Sequence, residues 1–121
     1  MNYLVIKTHR SEYPDPITFE RGESLSVGER YEGPEGWDDW FFCTNARQVG
    51  GWVPGQLIQW VDDTTALALE DYSAHELDVE QGESLTGLRQ LNAWVWCVRR
   101  STLEQGWVPL LNLRRDSSRR P

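Results

Sequence analysis

A chain of 121 residues with seven Trp, 39% hydrophobic and 26% charged residues has room for one ordinary domain or two minimal ones; it excludes multidomain enzyme architectures and is too apolar to remain disordered. Lys and Arg number 12 against 19 Asp and Glu, and a formal charge of −7 creates a field that repels phosphate backbones and anionic lipid, so neither a nucleic-acid nor a membrane partner is expected. The opening apolar run stops at Lys7, short of a secretion-signal core, and no later run approaches a membrane span, which predicts a cytoplasmic protein with reduced thiols at Cys43 and Cys97.

The first predicted strand covers residues 3–6. A polar, acidic loop with Glu12 and Asp15 leads to FERGESL at 19–25, where Gly22 is expected to take a positive φ before a second strand at 24–27. DDWFFC supplies a third strand at 40–44, and GWVP a fourth at 51–54. An acidic stretch, QWVDDTT at 59–65, then separates Ile58 from TALAL. After it the same blocks return in the same order: VEQGESL at 79–85, NAWVWC at 92–97 and GWVP at 106–109, at offsets of 60, 54 and 55. The runs are short, rich in β-branched and aromatic residues, and bounded by Gly, Pro, Asn or Asp, while no segment holds a 3.6-residue period.

The fold expected is therefore all-β, two tandem five-stranded small barrels: domain 1 at 1–60, a linker at 61–65, domain 2 at 66–114 and a basic tail at 115–121. Residues 1–113 carry 8 basic and 18 acidic groups, whereas RRDSSRRP at 114–121 carries four Arg and one Asp. Strict alternation in WFFC and WVWC puts Phe41 with Cys43, and Val95 with Cys97, on one face. Trp40 with Phe42, and Trp94 with Trp96, take the other.

ALEDY (68–72), ELDVEQGESL (76–85), AWVWC (93–97) and GWVPLLNL (106–113) together resemble the Src-homology-3 (SH3) domain, and VIKTH, ITFERGESL, WFFC and GWVPGQLI resemble it more distantly. Both copies are similar to the bacterial tandem form of that fold. The resemblance implies that the cysteine-bearing faces form the two cores, with each thiol a small buried hydrophobe. It also implies a groove for a proline-rich peptide, built from aromatic ridges that suit a preformed polyproline II helix and an acidic loop that pairs with a ligand Arg. In the second copy the matching residues are Tyr72, Trp94, Pro109 and Glu76, with Glu70 and Asn112 where tyrosines would stand. In the first they are Trp40, Pro54 and Asp15, with Lys7, His9 and Leu57 at the three tyrosine positions.

Phe42 and Trp96 point outward where a solvated face would carry polar groups, which predicts an apolar interface between the barrels. Trp60 is expected to pin the linker to one barrel, and Trp52 and Trp107 to line the groove lips. The acidic cluster Glu35, Asp38 and Asp39 and the pair Asp62 and Asp63 lack calcium-loop spacing and read as solvated surface. Neither a metal nor a cofactor is expected. The two histidines, His9 and His75, are not placed to activate inward-facing thiols, so no catalysis is expected. The function expected is a non-catalytic interaction module, monomer or weak homodimer, that binds a peptide segment of a partner protein, with basic residues in that segment. The alternative is a structural or assembly domain with degenerate grooves that dimerises or scaffolds a complex.

Overall fold

The computed structural model of the chain describes residues 1–12, 15–34, 37 and 39–116. Its strands are β1 (Asn2–Val5), β2 (Thr18–Phe19), β3 (Ser24–Arg30), β4 (Trp40–Thr44), β5 (Gly50–Pro54), β6 (Ile58–Trp60), β7 (Thr65–Ala68), β8 (Tyr72–Ser73), β9 (Ser84–Leu91), β10 (Trp94–Arg99), β11 (Gln105–Pro109) and β12 (Leu113–Arg115). Single turns of 3₁₀ helix, Gly55–Leu57 and Leu110–Asn112, follow the two GWVP segments. No helix among the described residues is long and apolar enough to cross a membrane.

The chain divides into two compact units: unit 1 is Met1–Glu12 with Glu76–Pro121, and unit 2 is Tyr13–His75. Each contains an antiparallel five-stranded sheet, ordered β11-β10-β9-β1-β12 in unit 1 and β5-β4-β3-β7-β6 in unit 2. Both are consistent with small barrel-like folds. A two-stranded pair, β2 with β8, completes unit 2; in unit 1 its counterpart is a bridge between His9 and Val79.

These units do not follow the sequence repeats at 1–60 and 66–114. β1 lies between β9 and β12, with Tyr3 opposite Leu85 and Val5 opposite Leu113. β7 lies between β3 and β6, with Ala66 opposite Leu25 and Ala68 opposite Ile58. Thus each repeat gives its first strand to the sheet built by the other. The local cause is the stretch read as a linker. The Val61 N–H donates to Thr65 O at 2.8 Å and the Thr64 N–H to the Asp62 carboxylate at 2.9 Å, which closes a hairpin from β6 directly into β7. A chain turned this tightly pairs with its immediate neighbour, and β1 fills the corresponding slot beside β9.

Alternation along the strands builds the two cores. Cys43 and Cys97 are fully buried, as expected for the inward face. In unit 1, Cys97 is joined by Tyr3, Val5, Leu77, Val79, Leu85, Val95, Val108 and Leu113. Unit 2 buries Ile17, Phe19, Leu25, Val53, Leu57 and Ile58. The two GES turns have one geometry: Glu23 N–H donates to Glu20 O at 3.0 Å, Glu83 N–H to Glu80 O at 3.1 Å, and Gly22 and Gly82 take φ of 91° and 99°. A type II turn needs a positive φ at its third residue, which glycine adopts without steric cost. In the β9–β10 hairpin, Asn92 and Ala93 both have positive φ, 48° and 72°, the two-residue turn whose twist matches the strands.

Candidate functional site

The strand exchange regroups the residues that the sequence nominates. Tyr72 belongs to unit 2 with Trp40, Pro54 and Asp15, whereas Trp94, Pro109 and Glu76 belong to unit 1 with His9. The second repeat therefore does not bring Tyr72 to Trp94. β8 pairs with β2 in the other sheet system, because the hairpin at 61–64 has already committed β7 to β3.

In unit 2, Trp40 and Pro54 face each other across β4 and β5. The Tyr72 hydroxyl donates to the carbonyl of Trp52 at 3.0 Å, two residues before Pro54, and its ring packs on Phe19 with centroids 5.3 Å apart. Asp15 is exposed and precedes β2, the strand that pairs with β8. Trp52 takes the edges of Tyr31 and Phe42, at 5.2 and 5.3 Å, and Tyr31 also lies 5.6 Å from Trp37. The sequence reading missed Tyr31 and Trp37; both lie in or beside the loop where the repeats differ in length, so no matching block marks them.

In unit 1, Trp94 and Pro109 face each other across β10 and β11. His9 occupies the place that Tyr72 holds in unit 2, for it bridges Val79 as Tyr72 pairs with Phe19. Its ring meets Trp94 edge-on at 5.6 Å, and its Nε2 lies 2.9 Å from the Glu76 carboxylate. The surrounding loop is stitched down: Ser11 N–H donates to Asp78 at 2.7 Å, Arg10 to Val79 O at 3.0 Å, and the guanidinium of Arg99 to the carbonyl of Asp78. Arg99 also binds Glu83, at 2.7 Å, and Glu104. Burial alone would raise the Glu83 carboxyl, but the hydrogen bonds from Arg99 and the Glu80 amide, with the charge of Arg99, hold it below the usual range. The sequence sets His9 at a tyrosine position of the Trp40 groove, whereas the structure places it in the unit of Trp94, because β1 joins β9 and β12.

Both groove tryptophans lie deep, with Trp40 6% and Trp94 8% exposed, and Tyr72 is 9% exposed. Pro54 and Pro109 are buried as well. Phe42 and Trp96 are half-buried, and each faces a Trp directly across its own sheet: Phe42 opposes Trp52, and Trp96 opposes Trp107 at 5.3 Å. Cross-strand aromatic pairing thus gives these outward positions a role inside their own units. Trp107 is buried, deeper than the lip position expected of it, whereas Trp52 is half-buried. Trp60 belongs to β6, remains 46% exposed and sets its ring 5.4 Å from Phe41. Asp39 has a positive φ of 65° and its carbonyl accepts the Gly55 N–H at 2.8 Å; Glu35 and Asp38 lie outside the described residues, as do residues 117–121 of the basic tail. Arg114 and Arg115 belong to β12.

Burial pushes both thiols up to about 12, and Cys97 Sγ donates to Val95 O at 3.5 Å, the setting of an inert core cysteine.

Residues 3–61 match the family model of the variant SH3 domain. Searches of curated proteins and of solved structures return no significant match. The matched span takes β1 from unit 1 and β2 to β6 from unit 2, so one family-length sequence is divided between the two units. SH3 domains are in general protein-interaction modules and typically non-catalytic. The chain is all-β, and its residues 3–61 are similar to the variant SH3 domain.

Proposed function

We propose that the protein is a non-catalytic interaction module that takes a peptide segment of a partner protein on unit 2, through Tyr72, Trp40, Pro54 and Asp15. The observation that carries this reading is the delivery of Tyr72 to the unit of Trp40 and Pro54, which gives unit 2 four residues that match the SH3 groove, Tyr72, Trp40, Pro54 and Asp15, against three in the first sequence repeat and three left in unit 1. The 18 acidic and 8 basic groups of residues 1–113 favour a segment with basic residues, with Asp15 as the exposed partner for a ligand Arg. In unit 1 the equivalent tyrosine is His9, whose ring is engaged by Trp94 and Glu76, so that face is the weaker candidate.

The test is a titration of the full chain with proline-rich peptides carrying a flanking Arg, followed by two-dimensional NMR. Expected are shift changes at the Trp40 indole, Tyr72 and Asp15, little change at Trp94, and a loss of affinity of a few-fold for Asp15→Asn that fades at high salt. Absence of shifts at millimolar peptide, or shifts centred on His9 and Trp94, contradicts the reading.

The depth of Trp40 and Trp94 favours a second reading, an assembly domain whose grooves are filled by the protein itself. In that case no peptide titrates and light scattering finds a defined oligomer.

A further inference from the structure

We infer that reciprocal side-chain size reinforces the exchange of first strands that the 61–64 hairpin begins, with Tyr3 fitted to Gly87 in unit 1 and Ala66 fitted to Val27 in unit 2. The two sites correspond residue by residue. Tyr3 opposes Leu85, and Ala66 opposes Leu25, the same position of the GESL block. One step further, the Gly87 N–H donates to Met1 O at 2.7 Å, and the Val27 N–H to Thr64 O at 2.8 Å. Positions 27 and 87 are therefore equivalent, as are 3 and 66, and the residues at them are opposite in size.

At Gly87 a Cβ would lie 2.5 Å from Cε2 of Tyr3 and 3.0 Å from a methyl carbon of Val95. The absence of a side chain at 87 is what admits the tyrosine ring, which is only 5% exposed. In unit 2 the room is divided the other way, with Val27 7% exposed beside a fully buried Ala66. Consider the alternative in which each repeat keeps its own first strand. Tyr3 would then enter the sheet that carries Val27 and overpack it, and Ala66 would lie beside Gly87 and leave a ring-sized void. The ladder register is equivalent at the two slots, so side-chain volume adds a second preference to the one that the 61–64 hairpin already sets. The slot between β9 and β12 accordingly accepts a strand with an aromatic residue at its second position, and the slot between β3 and β6 accepts one with a small residue there.

Two experiments on the full chain test this. In a double-mutant cycle, Gly87→Val lowers Tm by roughly 5–15 °C. Tyr3→Ala added to it recreates the Ala66–Val27 combination and restores at least half of that loss, although Tyr3→Ala alone also lowers Tm. Additive losses overturn the inference. In the second experiment engineered cysteines report which strands are neighbours. Leu4 lies opposite Ser84, so Leu4→Cys with Ser84→Cys forms an intramolecular disulfide, and Leu4→Cys with Ser24→Cys does not. Val27→Gly with Gly87→Val reverses the two size cues, and the share of chains linked to position 84 then falls while a link to position 24 appears. A cross-link to position 24 in the otherwise unchanged chain, or an unaltered partition between 84 and 24 after the reversal, overturns it. Should the reversed chain fail to fold, the thermal cycle alone decides.

Discussion

At the scale of single residues, the molecule distinguishes groups that serve packing from groups that serve polar anchoring. Cys43 and Cys97 belong to the first kind, and their ionisation has a sign that follows from burial. The unfolded chain releases these protons near the ordinary value of 9.0, the folded chain only near 12. Stability from the neutral thiols is therefore complete below pH 9 and lost as pH rises toward 12, by about 1.4 kcal/mol per pH unit for each thiol. Urea unfolding between pH 8 and 11 checks this, with a flatter pH profile expected for Cys43→Ala combined with Cys97→Ala. Tyr72 belongs to the second kind. Tyr72→Phe keeps the ring on Phe19 and removes the donor to Trp52 O, at an expected cost of about 1 kcal/mol in urea unfolding. Period-2 alternation in WFFC and WVWC was enough to set Cys43 with Phe41 and Cys97 with Val95 on one face, and the SH3 resemblance implied that this face was the core. The partner of His9 was not legible in the sequence, because it lies 67 positions away at Glu76 and in the other repeat.

Strands and turns were the most legible level. Gly22 and Gly82 sit where a type II turn demands them, and the repeated blocks fall on corresponding strands. The β9–β10 turn departs from the ideal. Its second residue, Ala93, holds φ at 72°, a conformation that glycine adopts far more readily. Ala93→Gly is expected to raise stability by about 1 kcal/mol, seen as a higher urea midpoint with unchanged slope. Residues 61–64 show why the hairpin escaped notice. Asp and Thr there lack the Asn-Gly or Asp-Gly signature, and their acidic composition suits a linker as well as a turn; what closes the hairpin is the Asp62 carboxylate accepting the Thr64 amide.

For the whole molecule, pairing partners rather than strand positions carry the information that local sequence patterns omit. A period-2 pattern states which side of a strand is buried but not against which sheet, and a duplicated sequence offers two nearly equal choices. Removal of residues 1–6 makes the consequence measurable. Tyr3 and Val5 leave the core that contains Leu85, Val95 and Val108, so hydrogen-exchange protection is expected to collapse in β9 to β11 while β3 to β5 keep theirs. The repeat boundaries alone would have forecast the opposite pattern. Unit 2 is contiguous from Tyr13 to His75, whereas β12, which flanks β1, is supplied only by Leu113–Arg115. During synthesis from the N-terminus, more than half of the chain must therefore emerge while the earliest-made strand still lacks its neighbours. A ribosome stalled shortly after His75 has cleared the exit tunnel should carry a protease-resistant unit 2 with a cleavable N-terminal arm, a nascent species in which birth order and assembly order run contrary to one another.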